Sequence, residues 1–594
     1  MLSTKKIYFD IINPINMKNS NPEKIFIGVS WPYASGKIHL GHLAGQNIAC
    51  DVFARYHRLK GNDVLMVSGS DSHGTPIVFK AEELGISPEE LVEQSHKEIL
   101  KTFKNLSLIY ENYTSTTTEN HKEVVQNIFL VLKDLGYLYP QKSKQYYDQK
   151  VEKFLPDRYV RGTCPECGAT NARGDECSVC GKFLKPTDLL NPQSTLSDTK
   201  PILKETEHFY LDLKKLESSI SKWIDSTSGN WRKWVREFSK GWIREGLDPR
   251  EVTRDMKYGI PVPIEGWDEK VIYVWIEAVV GYLSASIEWA EKIGNPSRWE
   301  SFWKDPKCKH FYFIAGGNVP FHTIIWPAQL LAYSEKYNND DLWQKYKLPG
   351  ETKREKLDLP YDVPANKMLL YKGKKMSKGD GIGMSVDSLL EKYNADLIRF
   401  FFIRNAPENH DREFEWKDLI DCNNNELVAN IGNFVNRTLT FTSSKFGNNI
   451  PQGILENDVT ENIEKAFNNI GKHLEKCEFV KASEELLRFG NFANKYFNDK
   501  APWISFKEDT KDCENTIFNS IQLVNALRIL LKPFVPESSK KLSKMLNINN
   551  DLDANIELED IGEVKELRNS WQFSILESKT KLNTPEILFE KIEA

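Results

Sequence analysis

No stretch of this 594-residue chain holds an apolar run of the roughly 20 residues that a bilayer span takes, so no membrane segment is expected. Residues 1–21 carry scattered lysines but no apolar core followed by a small-residue cleavage site, and read as a short polar lead-in rather than a secretory signal. Internal repeats and low-complexity segments are absent as well. So is a large excess of one charge: 79 Lys and Arg face 84 Asp and Glu, for a formal net charge of −5. A nucleic-acid partner must then be met by local basic patches, not by the whole surface. What is present is a globular composition, 40% hydrophobic and 11% aromatic, in a chain too long for one core, so roughly two to four domains are expected.

Of nine cysteines, Cys50, Cys308, Cys422, Cys477 and Cys513 are scattered and read as buried thiols, a usage that suits a reducing, cytoplasmic compartment. The other four form two pairs, Cys164-x2-Cys167 and Cys177-x2-Cys180, with the spacing of a four-thiolate zinc knuckle. Gly168 and Gly181 follow the second cysteine of each pair, where a tight turn around a metal needs them. Two disulfides are the alternative, which the cytoplasmic pattern disfavours. Four thiolates leave no open coordination position, so the expected zinc, one per chain, is structural.

The chemistry concentrates in two other stretches. The β-branched run Ile25–Val29 reads as a buried strand and 40–58 as a helix; between them lies Ser30-Trp31-Pro32-Tyr33-Ala34-Ser35-Gly36-Lys37-Ile38-His39-Leu40-Gly41-His42. Strand, small-residue turn and helix N-terminus make a phosphate site, and Gly41 admits a close nucleotide. His39 and His42 are either donors to phosphate oxygens or simply helix-capping histidines. Far downstream, Lys374-Lys375-Met376-Ser377-Lys378-Gly379 is a cationic, glycine-flanked loop suited to a polyphosphate.

Between these stretches, 63–67 reads as a second strand ending at Asp71 in a polar turn, completing a βαβ unit of an open parallel sheet. Helices are expected over about 88–106 and 119–135. Strand character returns at 271–275 and 310–314, as if the cysteine-bearing segment were inserted between two halves of one sheet, and another short strand, 368–371, precedes the Lys-Met-Ser-Lys loop. Beyond about Glu415 the pattern is helical almost to the end and reads as a separate bundle.

Together the two stretches resemble the two signatures of class I aminoacyl-tRNA synthetases, and the flanking sequence resembles the methionyl-tRNA synthetases from Ser30 to about Trp503. The resemblance implies an α/β chain: a Rossmann-type parallel-sheet catalytic domain in two halves (1–140 and 251–370), a connective insertion with the zinc knuckle (141–250), the second-signature loop and stem-contact region (371–415), and an α-helical anticodon-binding bundle (416–594). It implies that His39, Gly41, His42, Lys375, Ser377 and Lys378 bind ATP, with His39, His42, Lys375 and Lys378 acting on the charge that develops at phosphate. Trp31, Tyr33, Trp275, Tyr282 and His322 match the family's methionine side-chain site, Asp71 the carboxylate for the α-ammonium, and Arg254 the arginine near the substrate carboxylate. Asn433, Arg437 and Trp503 match the anticodon reader, whose unpaired bases call for edge hydrogen bonds and stacking. The implied partners are L-methionine, ATP with Mg²⁺, and initiator and elongator methionine tRNA, with the chain a monomer.

Departures from the family lie in one pocket. The usual Gly-Lys-Asp before the Phe-His helix start is Ala315-Gly316-Gly317, Trp-x-Asp-Ala-Pro is Trp275-Ile276-Glu277-Ala278-Val279, and Trp31 replaces a leucine. A catalytically weakened tRNA-binding paralogue is the other reading these departures leave, and retention of both signatures argues against it. Lys378→Ala is expected to lower methionine-dependent pyrophosphate exchange by about 10²–10³-fold, as loss of one transition-state donor does. Circular dichroism should be unchanged, and unaltered exchange would remove Lys378 from this role.

Overall fold

The run after Glu23 forms strand β1 (Lys24–Val29), followed by β2 (Asp63–Ser70), β3 (Asn112–Ser115), β4 (Lys309–Ala315) and β5 (Ala365–Asn366). They make one parallel sheet in the order β5-β4-β1-β2-β3. The computed structural model describes residues 22–174, 177, 179–180, 184–227, 229–376, 383–548 and 571–593. The lead-in 1–21, Gly181, Ser377, Lys378 and Gly379 lie outside them.

Successive β1 side chains serve opposite faces, as strand geometry dictates. Ile25, Ile27 and Val29 join one core with Phe53 and the C-terminal helices, while Phe26 joins another with Tyr312, Trp303 and the helices Glu119–Asp134 and Gly281–Lys292. Strand order reverses between β1 and β4, and such a switch point opens a crevice beyond the strands' carboxyl ends. The loops after Val29 and Ala315 both leave the sheet there.

The insertion leaves on Leu138–Asp148 and returns on Ile202–Leu211, which pair antiparallel from Leu138↔Leu211 to Tyr147↔Ile202. At its tip, Val160–Thr163 pairs with Ala172–Arg173 and Leu190–Ser194 around a minor core of Leu155, Tyr159, Val160, Cys164, Ala172, Cys177 and Leu189.

From Trp416 the chain is helical: Asn433–Phe446, Asn457–Glu475, Phe479–Lys500, Pro502–Glu508, Thr510–Leu531 and Pro536–Met545. This bundle shares its core with one face of the sheet. Arg399, fully buried, joins the two: its guanidinium bonds Asp51 at 2.6 Å and the carbonyls of Leu106, Pro533 and Phe534. Arg232 is a second joint, donating to Ala365 O and Asn366 Oδ1 on one side and to Cys477 O at 2.9 Å on the other. Asn366 in turn donates to Ala44 O at 2.7 Å.

Two sequence expectations are corrected. The run 271–275 is not a strand of the main sheet: only Val271–Ile272 is extended, paired antiparallel with Thr253–Arg254, and Val274–Glu277 is a helical turn. Its β-branched composition masks a helical period, because Trp275, Ala278, Val279 and Tyr282 (i, i+3, i+4, i+7) all line the cleft described below. The C-terminal stretch 571–593 is not helical. It crosses the bundle as irregular chain, its carbonyls at Ser574, Leu576 and Glu590 accepting from Asn525, Gln522 and Asn423.

Candidate active site

A cleft of about 310 Å³ opens at the switch point. Trp31, Tyr33, His39, Gly41, His42, Asp71, Trp275, Tyr282, His322 and Lys375 all line it. The loop after β1 is held against the end of β2 by Ala34 N to Asp71 O (2.7 Å) and Asp71 N to Pro32 O (2.9 Å), which aligns Tyr33 beside Asp71.

His39 is the N-cap of the following helix, and its Nδ1 accepts from Gly41 N at 3.1 Å, while His42 Nδ1 accepts from His39 N at 3.2 Å. An accepting Nδ1 puts the ring proton on Nε2, so capping and donation to an anion are the work of opposite edges of one imidazole. The ring centroids are 4.0 Å apart. A Cβ on Gly41 would meet the His39 ring at 2.9 Å, so this glycine makes room for its neighbour's fold-back.

The chain that flanks the second signature converges on the first. Ser385 bridges His39, Leu40 N donates to Met384 O (3.2 Å) and Val386 N to Ile38 O (3.1 Å). The strand Lys374–Lys375 brings Lys375 to the cleft wall.

Glycines shape the aromatic slot. A Cβ on Gly69 would lie 2.3 Å from the Trp31 ring and one on Gly281 2.7 Å from its other side, so the indole is seated between β2 and the helix Gly281–Lys292. Trp275 Nε1 donates to Tyr33 Oη at 2.5 Å, and Phe321 meets the Trp275 ring edge-on at 4.3 Å. His322 Nδ1 donates to Asn318 O (2.9 Å), which leaves Nε2 to accept from Tyr282 Oη (2.7 Å). Burial lowers His322 to about 4, so its imidazole stays neutral at physiological pH and the slot carries no charge from it.

Asp71 is the acidic group of the cleft. It is buried, and its Oδ1 has no hydrogen-bond partner among the described residues. Burial pushes its carboxyl well above the ordinary range and the facing Glu277 adds to this, against the His73 backbone N–H. Arg254, in contrast, is not brought to the cleft. It lines the adjoining cavity, bound to Asp157 (3.2 Å) and Glu251 (2.8 Å) and stacked 3.6 Å over Tyr273. Among the described residues, Arg158 and Lys367 line the cleft besides Lys375, neither singled out in the sequence. Asp157-Arg158-Tyr159 carries no spacing signal. Lys367 is displaced from the Gly316-Gly317 position where the family motif has its lysine.

The family model described as "tRNA synthetases class I (M)" matches residues 25–439, and one described as "Anticodon binding domain of methionyl tRNA ligase" matches 448–594. The chain belongs to the class I methionyl-tRNA synthetases. Among curated relatives, the methionine–tRNA ligase of Thermomicrobium roseum is 40% identical, over 96% of this chain and 97% of its own. That of Thermobifida fusca is 41% identical over 89% and 86%. In fold the chain is similar to the Mycobacterium tuberculosis methionyl-tRNA synthetase solved in complex with methionyl-adenylate, with TM-score 0.73 and 19% identity over 96% of this chain and 99% of that one.

Away from the cleft, the residues that match the family's anticodon reader share one face of the bundle. Asn433 Nδ2 donates to Asn494 Oδ1 (3.3 Å), Arg437 to Asn498 Oδ1 (2.8 Å), and the Arg437 guanidinium lies 5.4 Å over the ring of Trp503, which is 43% exposed. An exposed indole beside a guanidinium plane is a stacking platform for an unpaired base.

In the insertion, the four cysteine sulfurs lie within 4.8 Å of one another, with Cys164–Cys180 at 3.8 Å and Cys167–Cys177 at 3.6 Å. A tetrahedral ion with about 2.3 Å bonds to sulfur has edges of about 3.8 Å, so the set fits a metal. No helix among the described residues is long and apolar enough to cross a membrane.

The tight seat of Trp31 gives a direct test. Gly281→Ala is expected to cost about 1–3 kcal/mol by overpacking, read as a lower urea midpoint with unchanged m-value. An unshifted midpoint would show that the indole is not confined.

Proposed function

We propose that this chain is an active methionine–tRNA ligase. The observation that carries the reading is the convergence, in one cleft, of the two signature histidines, Lys375, and a buried carboxylate with one unpartnered oxygen beside an aromatic slot. L-methionine places its ammonium on Asp71 and its thioether among Trp31, Tyr33, Trp275, Tyr282 and His322, a polarisable group against rings.

A carboxylate oxygen of the bound amino acid attacks the α-phosphorus of ATP in line. The new P–O bond forms as the bond to the β-bridging oxygen breaks, and pyrophosphate leaves with that electron pair. His39 and His42 meet the developing phosphate charge, and Lys375 and Lys378 the departing pyrophosphate, with Ser377 and Gly41 beside the nucleotide. Mg²⁺ enters with ATP on its phosphate oxygens. A hydroxyl of the terminal ribose of methionine tRNA then attacks the adenylate carbonyl; the ester C–O bond forms, the bond to phosphate breaks, and AMP leaves as the hydroxyl proton is given up. No covalent enzyme intermediate is needed, so positioning and charge stabilisation supply the rate. Asn433, Arg437 and Trp503 read the anticodon. Cys164, Cys167, Cys177 and Cys180 hold one structural Zn²⁺, which stabilises a tip whose own core is too small to fold unaided. The expected setting is cytoplasmic and the chain monomeric.

Pyrophosphate exchange across all twenty amino acids tests the chemistry. Exchange with methionine alone is expected; none, from folded and zinc-loaded protein, would overturn the reading. Metal analysis should find one zinc per chain, and Cys177→Ser should lose it along with amide protection in 160–194 while β1–β5 stay protected. A metal-free chain with a protected tip would exclude the structural ion.

A further inference from the structure

Beneath the slot lies a second acidic group that the reaction above does not use. Glu277 is fully buried, at the C-terminal end of the helical turn that carries Trp275. His73 Nδ1 lies 2.8 Å from its Oε1 and His121 Nε2 3.4 Å from its Oε2. His121 is itself held by Ser284, 2.8 Å from Nδ1, and packs against the Trp31 ring at 6.1 Å. His73 faces both acids, with its ring on Glu277 and its backbone N–H toward the carboxylate of Asp71, two residues back.

We propose that Glu277, with His73 and His121, is a positioning cluster that sets whether Asp71 is charged and so able to take the substrate ammonium. Two buried carboxylates near one another cannot both ionise cheaply. The two imidazoles that lie against Glu277 offset its charge and so favour ionisation of Asp71. Burial would raise Glu277, but the two histidines outweigh it and hold the carboxyl below its ordinary range. Tyr33 and Tyr282 also lie near Asp71, their phenols kept neutral by burial; Arg158, Lys375 and the neutral His322 line the same cleft, and Tyr258 faces Glu277. The departure from the family's shorter acid at this position thus reaches the histidines without entering the cleft, since Glu277 does not line it.

The inference rests on the assignment of Asp71 to the ammonium. Its sign follows from Asp71 being raised: below its pKa the carboxyl is neutral, so KM for methionine rises as pH falls. Glu277→Gln removes a like charge and should move that acidic limb down by about one pH unit. His73→Asn removes the imidazole 2.8 Å from Glu277 Oε1 that offsets its charge, and should move the limb up. KM for ATP should not follow either shift. Calorimetry of methionine binding to the unmodified enzyme in buffers of different ionisation enthalpy should show proton release that grows toward acid, which needs no variant. Limbs that stay put, shifts of the wrong sign, or binding without proton release at any pH from about 5.5 to 8 would overturn the proposal. Absence of methionine-dependent exchange in the unmodified enzyme would instead overturn the assigned activity.

Discussion

Parallel pairing of β1 with β4 is the contact on which the molecule depends. It sets Ile27 against Phe311 and Val29 against Phe313, strands that the whole insertion separates. Because strand order reverses at this seam, the histidine signature and the Phe321–His322 helix start emerge side by side. Closing so long a loop costs entropy that grows only slowly with length. The antiparallel ladder from Leu138↔Leu211 to Tyr147↔Ile202 shortens the effective loop by pinching the insertion at its base. The cysteine-bearing tip therefore elaborates without straining the seam.

At the cleft, backbone and side chain exchange volume. Rings occupy the space that Cβ atoms would take on Gly69 and Gly281 for Trp31, on Gly28 for Tyr282 and Tyr312, and on Gly41 for His39. The loop that carries Trp31 and Tyr33 is thereby seated against strands and helices, and preorganisation of this kind is what a reaction without a covalent intermediate requires. Charge is rationed in the same way: His322 is neutral, and the acids are confined to Asp71 at the wall and Glu277 behind it.

Much of this was legible in the chain. Strand runs such as Ile25–Val29, the two signatures and the paired cysteines announce themselves through period or spacing; β1 and the sulfur cluster form as expected, and His39, His42 and Lys375 meet in one cleft. The segment 271–275 misled because β-branched residues dominate a local window, whereas the period that matters runs on to Tyr282. Arg254 was matched by motif context, but its guanidinium is bound by Glu251, three residues back, and by Asp157, which only the folded insertion brings near. Arg158 and Lys367 reach the cleft by tertiary placement and leave no pattern. The tail 571–593 takes its shape from asparagine and glutamine side chains of the bundle that cap its carbonyls, an arrangement no propensity encodes.

The continuous core has one more consequence. It runs from Leu40 and Met376 beside the cleft to Phe434 and Phe497 beneath Arg437, and it is crossed by the guanidinium joints of Arg399 and Arg232. The span between the signature histidines and the exposed Trp503 is therefore not adjustable. It works as a caliper: any molecule long enough to touch both ends would have to fit a distance that this packed core sets.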